Sequence, residues 1–268
     1  MRSATFLLSR RWILFGIVVL LLAWLAWLLG QWQFHRLEER RERNETVSRN
    51  IEAPPVPVAD LLAPGRAVAA EAQWRRVTAT GTYATDDTVI VRYRTRGGRS
   101  GVEVVVPLVT AAGPALLVDR GWLATDNRGT APDDVPLPPA GEVTVTGWVR
   151  ADGTGDATRV SDQSTRAISS EAIGAALDRE VYGGFVELVV EQPAPSEPLA
   201  PAELPELDDG PHFFYGLQWW FFGLLALVGF GWLAMDEWRG GRRPGTSQGA
   251  EHATVDRQHG AGDEGRRG

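Results

Sequence analysis

The sequence predicts an α+β membrane protein in which two transmembrane helices flank a β-rich extracytoplasmic domain. Two apolar segments, residues 12–30 and 213–235, each approach the roughly 20 residues that span a bilayer core. Between them, short segments alternate apolar and polar residues, which is the pattern of half-buried strands. Short strands at this spacing, with one helix, predict a small twisted sheet or a partly closed barrel.

The first apolar segment is interpreted as a retained anchor. Arginines precede it, as in the n-region of a signal peptide, which is the alternative interpretation. However, residues 27–32 at its end contain no small-residue cleavage pattern. Residues 1–11 are therefore predicted to form a cytoplasmic N-terminus, and residues 31–65 a charge-rich helical extension followed by a proline-spaced linker.

Arginines also follow the second apolar segment, so the positive-inside rule places both termini in the cytoplasm. A further group of arginines just beyond the first segment opposes this orientation: Arg36, Arg40, Arg41 and Arg43. We expect a multi-pass protein of the bacterial cell membrane with both termini inside. Residues 193–211 are predicted to be a proline-rich acidic linker, and residues 236–268 a disordered tail.

The extracytoplasmic domain is predicted to cover residues 66–192 and to be built mostly of strands. The alternating segments are residues 76–83, 88–95, 102–109, 115–120, 142–150 and 185–191. Glycines at 97–101 predict a hairpin turn between two of these strands. Residues 169–177 predict one helix, with Ser169 or Ser170 as its N-cap.

Composition excludes several classes of function. A net charge of −7 and a pI near 5.2 argue against nucleic acid as a partner. The chain has no cysteine, which excludes disulfides, thiolate metal sites and cysteine nucleophiles. No hydrolase, dinucleotide-binding or zinc-protease motif is present, and the predicted β-rich domain has no histidine, so we do not expect an enzyme. Asp208 and Asp209 are interpreted as solvated turn residues.

The second apolar segment begins with polar side chains that a lipid-facing helix should lack. His212, Tyr215 and Trp219 fall on one helical stripe, with Gln218 beside them. An ionisable residue at such a position is a functional-site hypothesis by default.

The first apolar segment ends with a matching polar group: Trp32, Gln33, His35 and Arg36. This group leaves the membrane on the side where His212 and Tyr215 enter it. One interpretation is an interfacial aromatic belt with a hydrated histidine. The other is a shared pocket with aromatic walls, an arginine for an acid group, and His212 as a ligand to a metal such as haem iron.

A row of arginines lies in a predicted strand. Arg92, Arg94 and Arg96 alternate, so a strand would point all three to one face. The row is interpreted either as an edge strand kept soluble by charge or as an anion site for lipid headgroups or ligand carboxylates.

Four sequence blocks resemble the motifs of the SURF1 family. They are Gly30-Gln31-Trp32-Gln33 with Arg36; Arg94, Gly98 and Gly101 with Pro107-Leu108; Val118-Asp119-Arg120-Gly121-Trp122; and His212-Phe213-Phe214-Tyr215-Gly216-Leu217-Gln218-Trp219. The chain departs from the family pattern at Gly216, where alanine is usual, at Gly210-Pro211, where asparagines are often found, and at Arg40, where lysine is common.

The resemblance implies an assembly factor for haem-copper cytochrome c oxidase that helps haem a reach the catalytic subunit. By the same resemblance His212 would interact with the haem, and His35 is a candidate second ligand. The expected partners are the oxidase catalytic subunit, haem a synthase and the lipid bilayer. Arg94, Gly98, Gly101, Arg120, Gly121 and Trp122 are candidates for a structural role or an anion site. A cofactor-free scaffold, and a sensor or enzyme on an unfamiliar β fold, remain as alternatives.

Overall fold

The computed structural model describes residues 4–126 and 134–240. Its helices and strands are α1 (Arg10–Glu52), β1 (Val56–Pro57), β2 (Arg76–Tyr83), β3 (Val89–Arg96), β4 (Arg99–Thr110), β5 (Ala115–Ala124), β6 (Glu142–Arg150), β7 (Ser164–Thr165), α2 (Ser170–Ala176), β8 (Phe185–Gln192) and α3 (His212–Gly240). The chain divides into two compact units, which we call the helix unit (Met1–Gln33 with Phe214–Gly268) and the β unit (Phe34–Phe213). The tail predicted to be disordered lies almost wholly outside the described residues.

The β unit contains a closed five-stranded barrel. Its strands follow the order β2–β6–β8–β5–β4, and pairing of β4 with β2 closes the ring. Closure requires a glycine, because a Cβ atom at Gly81 would lie 2.2 Å from the carbonyl oxygen of Val109. β3 and β7 extend the sheet beyond β4, and β1 pairs in parallel with β2. The predicted β-rich domain is confirmed, and the barrel is closed rather than partly closed.

The barrel wall is buried on both faces along β5. Leu116 and Val118 point into the barrel interior, while Ala115 and Leu117 join a second apolar cluster on the outer face. α2 covers that outer cluster through Ile173, and the Ser169 side chain caps the helix by accepting a hydrogen bond from the amide of Ala172 at 3.3 Å. The predicted helix and cap are confirmed.

Strand β5 extends past its predicted end. The sequence predicts a strand over residues 115–120, but pairing continues to Ala124. The amide of Trp122 donates to the carbonyl of Ala200 at 2.8 Å, and the amide of Ala200 donates back at 3.1 Å. Residue 200 belongs to the proline-rich linker, so this extension depends on a distant segment that strand patterning does not reveal.

Within the helix unit, α1 and α3 pack antiparallel. The ring of Phe230 lies 5.7 Å from Trp12, and the backbone of Gly223 lies against Ala23 and Ala26. A Cβ atom at Gly30 would lie only 2.1 Å from the indole nitrogen of Trp220. Small residues at these crossings let the two helix backbones approach closely, as in membrane-spanning helix pairs.

α1 and α3 are both long and apolar enough to cross a membrane. In their most apolar windows only 17% and 6% of the residues are buried. Exposed apolar surface on this scale is unfavourable in water and indicates a membrane or partner environment. The two helices are therefore candidate membrane spans. α1 continues unbroken to Glu52, so the charge-rich segment that follows the first apolar segment is helical, as predicted.

We predict that Ile173→Ala lowers the free energy of unfolding of the β unit by about 2–5 kcal/mol, because it removes apolar contacts between α2 and the barrel and leaves a cavity there. Urea unfolding of the solubilised chain measures the change. Ala175→Ser on the exposed face of α2 is the control and should stay within about 0.5 kcal/mol. Equal midpoints for the two variants would show that α2 does not stabilise the barrel.

Candidate functional site at the start of α3

His212 is the first residue of α3 and follows a tight turn. Gly210 has a φ of +64°, a conformation that glycine adopts readily and other residues rarely do. A Cβ atom at this glycine would lie 3.5 Å from Cδ2 of His212 and 3.5 Å from Cζ of Arg40. The imidazole and the guanidinium of Arg40 thus flank the same turn.

Polar contacts with α1 hold the segment before this turn. Nε of Arg40 donates to the carbonyl of Asp208 at 2.7 Å, and its guanidinium pairs with the carboxylate of the same residue. The guanidinium of Arg41 donates to Asp209 at 2.5 and 3.0 Å. The side-chain amide of Asn44 donates to the carbonyl of Asp208 at 2.9 Å. We call these residues (Arg40, Arg41, Asn44, Asp208 and Asp209) the helix-end clamp.

Asp208 and Asp209, which the sequence predicted to be solvated turn residues, form ion pairs in the clamp. Asp208 and Asp209 stay largely exposed, but each binds an arginine of α1. The hydrogen bond from Arg41 holds the pKa of Asp209 below its usual value. The turn before His212 is therefore fixed to α1 by charge.

Two aromatic side chains of the β unit pack against each other, one from α1 and one from the start of α3. The rings of Phe34 and Phe213 meet edge to face, with centroids 6.1 Å apart. Each is adjacent in sequence to one predicted haem ligand, His35 or His212. On the exposed side of α1, Arg36 pairs with Glu39 at 3.0 Å.

The remaining predicted site residues lie in the helix unit. Trp32 and Gln33 are on α1, and Tyr215, Gln218 and Trp219 are on α3. Trp219 packs edge-on against Phe222 of its own helix. The indole that packs against α1 in this unit is Trp220: it contacts Gly30, and its N–H points to the carbonyl of Trp27 at 3.4 Å. Trp220 is not among the residues predicted from the sequence, although its packing partner Gly30 begins the Gly30–Gln33 block.

The donor set beside the turn suits a cofactor that needs one imidazole. Among residues 4–126 and 134–240, no group of three or more His, Asp or Glu could hold a metal ion alone. An imidazole and a guanidinium that flank one turn would supply two groups that a haem requires, an axial nitrogen and a cation for its acid groups.

The hairpin glycines and the Val118–Trp122 block meet on the barrel. Gly98, with a φ of +75°, lies in the turn between β3 and β4. A Cβ atom at Gly101 would lie 2.3 Å from the ring of Trp122. The indole N–H of Trp122 donates to the carbonyl of Arg94 at 2.8 Å. Gly121, with a φ of +132°, leaves room for the linker carbonyl of Ala200.

Arg120 lies inside the barrel, where its charge is paired. Its guanidinium donates to Glu191 at 3.0 Å and to the carbonyl of Pro136 at 2.8 Å. The hydroxyl of Tyr83 donates to the other oxygen of Glu191 at 2.8 Å. The side chains of Arg120 and Glu191 are 1% and 3% exposed, and burial raises the pKa of Tyr83. These contacts favour a structural role for Arg120.

The arginine row of β3 is also paired with carboxylates. Arg94 contacts Glu103 at 2.9 Å, and Arg96 contacts Glu203 at 3.5 Å and donates to the carbonyl of Pro201 at 2.7 Å. Both arginines line one cleft of about 390 Å³. The guanidinium of Arg92 lies 5.8 Å from the ring centroid of Tyr93, an exposed residue with a φ of +64° at a register shift in the strand.

Fold and site define a class of protein: a β-barrel domain between two candidate membrane helices, with a histidine at the start of the second. A model of the SURF1 family matches residues 20–224, and the chain belongs to that family. Uncharacterized SURF1-like proteins of Mycobacterium bovis and of Mycobacterium tuberculosis are each 33% identical to it over 249 residues, covering 91% of this chain and 90% of theirs. Family membership implies a role in cytochrome oxidase assembly.

We predict that Arg94→Glu destabilises the β unit by about 1–2 kcal/mol, since it breaks an ion pair and adds a carboxylate near Glu103. Arg159→Glu is the matched control, because Arg159 is exposed and its ion pair is with the exposed Asp156. The control should change stability by less than about 0.5 kcal/mol. Arg94→Glu should also lower the yield of cytochrome c oxidase more than Arg159→Glu does, when each variant is expressed in cells that lack the original chain. Equal effects of the two substitutions would remove any special role for Arg94.

Proposed function

We propose that this protein binds haem a transiently near His212 and aids its insertion into the catalytic subunit of cytochrome c oxidase. The observation that carries the proposal is the placement of an imidazole and the guanidinium of Arg40 on one turn at the start of a candidate membrane span. Haem a synthase is the proposed source of the ligand. The proposed location is the bacterial cell membrane, with both termini in the cytoplasm.

Each residue beside the turn has a distinct task in this proposal. Neutral imidazole is a common axial ligand of haem iron, and His212 would supply it. Arg40 would orient an acid group of the ligand, while Phe34 and Phe213 would exclude water from one side of it. Seven further residues remain predicted contacts of the same ligand: His35, Arg36, Trp32, Gln33, Tyr215, Gln218 and Trp219. Bound haem a would supply the redox-active iron that the oxidase requires.

A carrier must release its ligand, and the clamp suits that task. Its ion pairs join partly exposed side chains, and such pairs contribute only about 0–1 kcal/mol each. The segment before His212 can therefore detach from α1 without unfolding the barrel, whose core is formed by separate residues. A partner that competes for Arg40 or Arg41 would loosen the turn that holds the imidazole.

We predict that His212→Ala abolishes most of the Soret absorbance of the full chain purified from cells that make haem a. His259→Ala is the control, since the sequence places that histidine in the polar tail. A His212→Gly variant supplied with free imidazole should regain the band, because the small molecule replaces the missing ligand. That rescue separates ligation from a structural role.

Two results would oppose the proposal. Unchanged Soret absorbance in His212→Ala would remove this histidine as the ligand. A chain that purifies without haem but together with the catalytic subunit would support the cofactor-free scaffold instead.

A further inference from the structure

Five charged side chains cross the outer face of the barrel on neighbouring strands. In spatial order they are Arg150 on β6, Glu187 on β8, Asp119 on β5, Glu103 on β4 and Arg94 on β3. We call them the charged row. Its signs run plus, minus, minus, minus, plus, so the middle of the row holds an excess of negative charge.

Each arginine at an end of the row pairs with the acid on the neighbouring strand. Arg150 contacts Glu187 at 2.6 Å, and Arg94 contacts Glu103 at 2.9 Å. Asp119, in the middle, is only 4% exposed. Its Oδ1 accepts a hydrogen bond from the amide of Gly121 at 3.1 Å, and within residues 4–126 and 134–240 it has no other hydrogen bond and no ion pair.

A buried carboxylate without a counter-charge is costly, so it takes up either a proton or a cation. Burial, with the nearby charges of Glu103 and Glu187, raises the pKa of Asp119 well above its usual value. Burial likewise raises the pKa of Glu187, whose Oε2 is buried and has no hydrogen-bond partner. Oδ2 of Asp119 and Oε2 of Glu187, on adjacent strands, thus accept no hydrogen bond within the described residues.

The cleft in front of Asp119 is open enough for a side chain. It measures about 390 Å³ and is lined by Tyr93 and Trp122 as well as by the charged residues. Four lining residues are acids, and arginines pair with three of them: Arg94 with Glu103, Arg96 with Glu203, and Arg150 with Glu187, which leaves Asp119 as the acid without an ion pair in the described part of the chain. This balance favours a cation as the occupant.

The cation that fits is organic. The acids do not form a group that could hold a metal ion in the described part of the chain. A guanidinium carries several N–H donors in one plane, so it can reach two carboxylates at once. An ammonium group is a compact point charge without this planar set of donors.

We propose that this cleft binds an arginine side chain of a partner protein, with Asp119 and Glu187 as acceptors and Trp122 in the cleft wall. The site lies wholly within the β unit and does not include His212. It therefore supplies a protein-docking function that is independent of haem binding.

Binding at this cleft depends on pH. Because the folded state raises the pKa of Asp119, its proton stabilises the fold at low pH, and that stabilisation is lost as pH rises through the raised pKa. An arginine side chain replaces the proton, so affinity increases over the same interval. The charged groups that line the cleft or complete the row around Asp119 are Glu103, Glu187, Glu203, Arg94, Arg96 and Arg150.

The experiment follows the Trp122 indole N–H by NMR in the full chain held in nanodiscs, with Trp122→Phe to assign the signal. Nα-acetyl-arginine methylamide is the probe, and the citrulline analogue is its neutral control of nearly equal shape. We expect a saturable shift with the arginine compound only. Asp119→Asn should weaken its binding about tenfold or more, since a charge-assisted contact is lost. Asp156→Asn, at a fully exposed acid, should leave binding unchanged.

Equal shifts with both compounds, or undiminished binding in Asp119→Asn, would overturn the proposal. If Asp119→Asn does not fold, the pH profile of the original chain decides, because affinity that stays flat from acidic to neutral pH contradicts a role for Asp119. Soret absorbance of Asp119→Asn should match that of the original chain. Failure of the arginine site and failure of haem binding can therefore be told apart.

Discussion

Pairing of β2 with β4 is the constraint on which the β unit depends. This pairing closes the ring and buries the inner face of β5, while α2 and the second apolar cluster bury its outer face at Ala115 and Leu117. Consecutive residues of a strand point to opposite faces, so Asp119 and Arg120 face different environments although both are buried. Arg120 pairs with Glu191 inside the barrel, whereas Asp119 lies outside, accepts a hydrogen bond from the amide of Gly121 and has no ion pair in the described part of the chain. One strand therefore carries both an internal ion pair and an unpaired carboxylate at a cleft.

The continuous helix α1 performs a different task at each end. Its apolar part packs in the helix unit through small residues such as Gly30, and its charged extension belongs to the β unit. Because the helix continues past its apolar part, Arg40 and Arg41 are available to bind Asp208 and Asp209. The start of α3, and with it His212, is positioned by those contacts rather than by a hydrophobic core.

Local pattern predicted the strands, α2 with its Ser169 cap and the extension of α1, because alternation and capping are properties of neighbouring residues. Contacts between distant residues could not be predicted in this way. The two ion pairs of the clamp join residues 168 apart in the chain. Ala200 of the linker likewise pairs with the distant Trp122. The sequence left the arginine row open between a soluble edge strand and an anion site, because strand alternation does not reveal Glu103 and Glu203, the partners of Arg94 and Arg96. The sequence shows Asp119 only as part of the Val118–Trp122 block, since its isolation depends on the side chains of the neighbouring strands β8 and β4.

The most direct test of the account is the reduced-minus-oxidised spectrum of cytochrome c oxidase in membranes of a strain that lacks this protein, with the catalytic subunit quantified in parallel. The account predicts that haem a absorbance per catalytic subunit falls sharply. It should return when the original chain is restored, and it should not return with His212→Ala. Full haem a absorbance in the deleted strain would contradict the account.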